Sequence, residues 1–112
     1  MALKKNPLNL NPLQLKTLTL IQEIARIENK PAEGEEGAFM VTSLPHAHGN
    51  HFHLGRYVVS AADATGLHNQ AVWVALERKG MLRSQTNSVE VTAAGMAYDT
   101  GLKDKILHGS DH

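Results

Sequence analysis

The sequence predicts an α+β fold: a core of three helices with short antiparallel strands beside it. Three observations predict it. Residues 11–28 are leucine-rich and place apolar side chains at helical spacing behind Asn11-Pro12. Residues 62–82, ADATGLHNQAVWVALERKGML, read as the end of one helix, a tight turn, a second helix and a stop. Residues 82–86 and 89–91 are short β-prone runs flanking Asn87-Ser88, which is a hairpin signal.

The first helix starts where local chemistry starts it. Asn11 is a natural cap, Pro12 suits the first helical position, and Gln14 stands where a capping box needs its last member. Leu13, Leu18, Leu20, Ile21, Ile24, Ala25 and Ile27 cover an arc of roughly 180° on the helical wheel, with Leu15 outside it. Two arrangements explain so wide an arc: a central helix buried on two sides of one chain, or a helix shared with a second copy. The second is the expectation here, a homodimer, in keeping with the prevalence of twofold pairing. Residues 1–10 precede this helix as an arm. Residues 29–37, NKPAEGEEG, read as a solvated connector with Glu33, Glu35 and Glu36 in water.

Two further β-prone segments follow. Residues 39–44 form one, and residues 51–54, HFHL, alternate polar and apolar in the manner of a half-buried strand. The expectation is an extra hairpin over 39–54, inserted between the first and second helices. The second helix is expected over about 57–65. An alternative ends a strand at Val58-Val59 and starts a short helix on Ser60, with Asp63 in capping-box position. Gly66 is expected to take the left-handed conformation and turn the chain, with Leu67 returning to the core. Asn69 then caps the third helix, Val72 and Leu76 face inward, and Gly80 ends it. Thr92 caps a last helix over 93–107, and the tail GSDH is left without structure.

With 112 residues the chain has room for one domain. Eleven basic and eleven acidic residues cancel, which argues against indiscriminate nucleic-acid binding but leaves room for a local basic patch. There are no cysteines, so thiolate catalysis, disulfides and Cys-based zinc sites are excluded. The expected location is the cytoplasm. No apolar run has the length of a signal peptide or a membrane span. P-loop, G-x-G-x-x-G, H-E-x-x-H and G-x-S-x-G motifs are all missing, and the expectation is a protein that is not an enzyme.

Residues 65–76, with the turn Thr65-Gly66-Leu67 and the helix that carries AVW, and residues 80–92, with the hairpin and Thr92, resemble the winged helix-turn-helix DNA-binding family. The opening NPLQLKTLTLIQEIA is similar to the first helix of its multiple-antibiotic-resistance-regulator branch. The resemblance implies a helix-turn-helix over 57–80, a β-wing over 82–92 and a dimeric transcriptional regulator that binds double-stranded DNA. It implies base or phosphate contacts from His68, Asn69, Gln70, Trp73, Arg78 and Lys79 on the recognition helix, and from Arg83, Gln85 and Asn87 on the wing. Two departures stand beside it. The inserted hairpin is unusual for a compact member, and Gly80 ends the recognition helix about one turn early. Winged helices also serve as protein-contact modules, which is the alternative function.

No cofactor is required by this reading. His46, His48, His51 and His53 nonetheless form two His-x-His pairs, and alternate residues of an extended chain point the same way. Such imidazoles suit zinc, nickel or copper, so a metal-responsive regulator is a further alternative. Equally, histidines in a loop can be ordinary solvated groups.

Overall fold

In the computed structural model, which describes residues 6–47 and 49–109, the chain is α+β with antiparallel sheets. In order it forms α1 (Pro12–Glu28), β1 (Lys30–Pro31), β2 (Phe39–Val41), β3 (His51–Leu54), β4 (Tyr57–Ser60), a 3₁₀ segment (Ala61–His68), α2 (Gln70–Arg78), β5 (Leu82–Ser84), β6 (Val89–Val91), α3 (Ala93–Ala97), α4 (Lys103–Ile106) and β7 (His108–Gly109). One sheet runs β1-β2-β6-β5 and the other β3-β4-β7.

The core is built around α1. Its start follows the sequence: the Gln14 amide N–H donates to Asn11 Oδ1 at 2.8 Å, and the Asn11 N–H donates to Gln14 Oε1 at 2.9 Å. Asn29 closes the helix in the left-handed conformation, φ 54°. Residues 17–25 are all buried, polar ones included. The 3₁₀ segment, α2, α3 and strands of both sheets all pack on α1. Its wide apolar arc is therefore filled by the chain's own elements, and Leu15 also packs against the core. The polar members are satisfied across the core. Thr19 and Thr100 hydroxyls bond at 2.5 Å, and Gln22 Nε2 donates to the carbonyls of Gly95 and Tyr98.

Several expectations are corrected. The segments 39–44 and 51–54 do not pair with each other. Phe39–Val41 lies between β1 and β6, with Phe39 opposite Val91 and Val41 opposite Val89. The extra hairpin is β3–β4, with Leu54 opposite Tyr57 across Gly55-Arg56. A two-residue link is the tightest way to reverse a strand, and Gly55 at φ 57° supplies the positive first position of a II′-type turn. Residues 57–60 are thus strand rather than helix. The Ser60 hydroxyl oxygen accepts from the Ala62 N–H and opens the 3₁₀ segment, as in the alternative reading of the sequence.

Gly66 does not turn the chain through a positive φ. It lies inside the 3₁₀ segment against α1, where a Cβ would stand 1.9 Å from Thr17 Oγ1. Close approach is its reason, and the break before α2 falls at Asn69, φ −108° and ψ 104°. The end of α2 is a Schellman cap: Met81 N–H donates to Leu76 O, Gly80 N–H to Glu77 O, and Gly80 has φ 81°.

The last helix is two short ones. Tyr98 leaves helical geometry and Gly101 turns left-handed at φ 74°, its amide held by Asp99. Of the expected arm, residues 6–10 are docked: Leu10 is buried and the Tyr98 hydroxyl donates to Asn6 Oδ1 at 2.6 Å. Of the expected loose tail, Gly109 belongs to β7, and residues 110–112 lie outside the described residues, as do 1–5.

Candidate nucleic-acid interface

The strand order β2-β6-β5 places the β5–β6 hairpin beside α2, and both hang on the same core through Leu76, Met81, Leu82 and Val91. The amphipathic spacing works as expected: Val72 and Leu76 are buried while Gln70, Ala71, Val74, Glu77 and Arg78 face out. His68, Asn69 and Gln70 form the exposed corner at the N-terminal end of α2. Asn69 has a structural task there, since its Oδ1 accepts from Ala71 N–H at 3.0 Å. That bond uses one lone pair of Oδ1 and fixes how the side chain is turned, which leaves Asn69 less adaptable to a base edge than a side chain without a cap bond. Gln70 carries the exposed primary amide without that cap bond.

Trp73 departs from the expectation that it faces water. It is half-buried and packs against the core, and its indole N–H donates to the Leu67 carbonyl at 2.9 Å. A ring of that size gains more from cover than from solvent, and its N–H needs a partner when covered. Trp73 forms one wall of a hollow of about 400 Å³ between α2 and the hairpin, with Val41, Leu44, Leu67 and Val89. Gln85 and Asn87 are exposed on the hairpin side of that hollow.

The cations divide into two groups. Arg78 and Lys79 are exposed at the far end of α2, and Lys79 Nζ donates to the Leu8 carbonyl at 2.8 Å. Arg83 is held from both sides. Its Nη1 bonds Glu90, directly opposite on β6, and its Nη2 bonds Glu35 at 2.6 Å. Glu35 also accepts from the Ala93 N–H at 2.8 Å, at the first residue of α3. That backbone bond first, then the Arg83 guanidinium, hold the Glu35 carboxyl below its ordinary value. The connector is therefore not a purely solvated loop. The two glutamates are what the sequence reading missed. A turn at Asn87-Ser88, as the sequence suggested, would have set Gln85 opposite Glu90; the hairpin instead turns at Thr86-Asn87, with the Gln85 N–H donating to the Ser88 carbonyl, and that register brings Arg83 opposite Glu90. Nothing local points to Glu35.

The histidines do not assemble as a set of four. His51 and His53 come together on the outer face of β3, with their Nε2 atoms 3.2 Å apart. His46 is exposed in the preceding loop, and His48 lies outside the described residues. Among the described residues no group of three or more histidines and carboxylates converges. None of the described helices is long and apolar enough to cross a membrane.

Neither a protein-family model, nor a curated protein, nor a solved structure matches this chain.

Proposed function

We propose that the chain is a winged-helix protein in which the N-terminal turn of α2 reads base edges in a DNA major groove. The exposed corner His68-Asn69-Gln70 carries this reading, because it places an amide side chain at the leading end of a helix flanked by a β-hairpin. The sheet order β2-β6-β5 and the helical corner before it support the winged-helix assignment. Gln70 is the principal base contact, and Arg78 and Lys79 are the phosphate contacts. Arg83 and Trp73 leave the list of direct contacts, since the first is neutralised and the second is packed. With about two phosphates neutralised, log K falls with log salt at a slope of about −2, shallow for a DNA-binding protein.

Selection from a random duplex pool tests the proposal. Enrichment of a defined sequence, with binding weakened by Gln70→Ala through loss of about 1–3 kcal/mol, supports it. Recovery of no defined sequence, or binding indifferent to Gln70→Ala, removes it.

A second reading rests on one observation, the Trp73 hollow between α2 and the hairpin. An apolar floor rimmed by the neutral Gln85, Thr86 and Asn87 suits an extended protein segment better than a phosphate backbone. This is the protein-contact alternative, and it needs no exposed cation.

A further inference from the structure

The outer face of β3 carries a pair of imidazoles that the DNA-reading surface does not use. His51 and His53 alternate with the buried Phe52 and Leu54, so the core fixes which way both rings stand. Pairing with β4 over four residues holds the strand straight at both. Their ring centroids are 4.9 Å apart with planes at 80°, and the contact runs from Nε2 to Nε2 at 3.2 Å. On the other side of the His51 ring, Nδ1 lies 3.4 Å from Asn50 Oδ1.

We infer that His51 and His53 chelate a zinc ion through their Nε2 atoms. Metal–nitrogen bonds of about 2.0–2.1 Å at a tetrahedral angle set the two nitrogens roughly 3.3–3.4 Å apart. A right-angled pair, as in a square-planar copper or nickel site, would set them roughly 2.8–3.0 Å apart. The 3.2 Å separation is close enough to these spacings for one ion to bridge both nitrogens, and zinc is the ion tested. Asn50 supplies the orienting contact: its carbonyl oxygen accepts the Nδ1 proton of His51 and leaves the Nε2 lone pair aimed at His53. Without metal, the same pair is an imidazole–imidazole hydrogen bond, with the proton on Nε2 of His53. With zinc, His53 carries its proton on Nδ1, and the ion takes the place of the shared hydrogen. His51 and His53 supply two of the ion's donors. This inference is independent of what α2 binds.

Calorimetric titration of the intact protein with zinc sulfate tests it. The expected result is one ion per chain, lost in His51→Gln and in His53→Gln, weakened about tenfold in Asn50→Ala, and unchanged in His68→Gln. Both histidines lie on the solvent side of β3, so far-UV circular dichroism should be identical across the set. Absence of zinc uptake by the native protein overturns the inference. So does an isotherm that His53→Gln leaves intact, or one that His68→Gln weakens as much, which would mark scattered surface histidines. Ring-proton NMR gives a second reading. Zinc should shift the His51 and His53 resonances together, and a shift spread evenly over the exposed histidines contradicts the site.

Discussion

At Gly66 a single hydrogen in place of a methyl group lets the 3₁₀ segment lie on α1. A Cβ there would meet Thr17 Oγ1 at 1.9 Å, and Thr17 is itself fully buried, with its hydroxyl donating to the Leu13 carbonyl. Gly66→Ala should therefore destabilise the protein by about 3 kcal/mol through overpacking. Gly109→Ala, where a Cβ meets nothing within 4 Å, should leave the urea midpoint unchanged. The sequence marked Gly66 as special for the wrong reason, because its partner is 49 positions away in the chain. The caps on Asn11, Asn69 and Thr92 were legible because each involves only residues two or three further on.

Glu28 works at the same scale. Burial would raise its carboxyl, but the Thr42 hydroxyl, the Thr42 and Ser43 amides and Lys30 outweigh burial and lower it below the ordinary 4.5. A carboxyl whose folded value is depressed stabilises the fold fully above the unfolded value. That stability is lost as the pH falls through the folded value. Unfolding free energy should thus decline below about pH 4.5, and in Glu28→Gln the decline should be smaller; denaturant titration from pH 6 to pH 3 measures both.

At the scale of elements, the β5–β6 hairpin sits beside α2 but offers it little charge. Arg83 is locked by Glu90 across the strand pair and by Glu35 from the connector. Replacing both glutamates by glutamine should free the guanidinium, tighten duplex binding and steepen the salt slope by about one. Electrophoretic shift at several salt concentrations reads this out, and an unchanged slope would mean that Arg83 points away from DNA. Within α2, Trp73→Phe should cost about 1 kcal/mol in stability by leaving the Leu67 carbonyl without its donor. The helices were legible in the sequence because capping and 3.6-residue spacing are local. The β5–β6 pairing was legible because its two strands are joined by a short turn, whereas the strands at 39–41 and 51–54 were found but mispaired: β2 takes β6, some fifty positions later, and β3 takes β4 across Gly55-Arg56.

Over the whole molecule, α1 acts as the axle. The apolar arc that suggested a second copy is consumed by the 3₁₀ segment, α2, α3 and strands of both sheets. Ile27 and Val74 are the exposed large apolar side chains among the described residues, too little for a stable subunit interface. Sedimentation equilibrium should therefore return a single-chain mass up to high micromolar concentration, and a stable dimer would show that the surface reading is incomplete. Under the proposed DNA-reading role, a single copy would present one helix to one stretch of groove. The zero net charge was legible in the sequence; the pairing of Arg83 with Glu35 emerges only when the connector folds back on the hairpin.

The proposed function rests on the N-terminal corner of α2 meeting DNA. Backbone-amide NMR of the labelled protein with a selected duplex addresses this directly. Shifts concentrated at residues 68–71 and at Arg78-Lys79, with His51 and His53 unmoved, are the expected result. Shifts confined to the Trp73 hollow and residues 85–89, or none at all, would contradict groove reading by the start of α2.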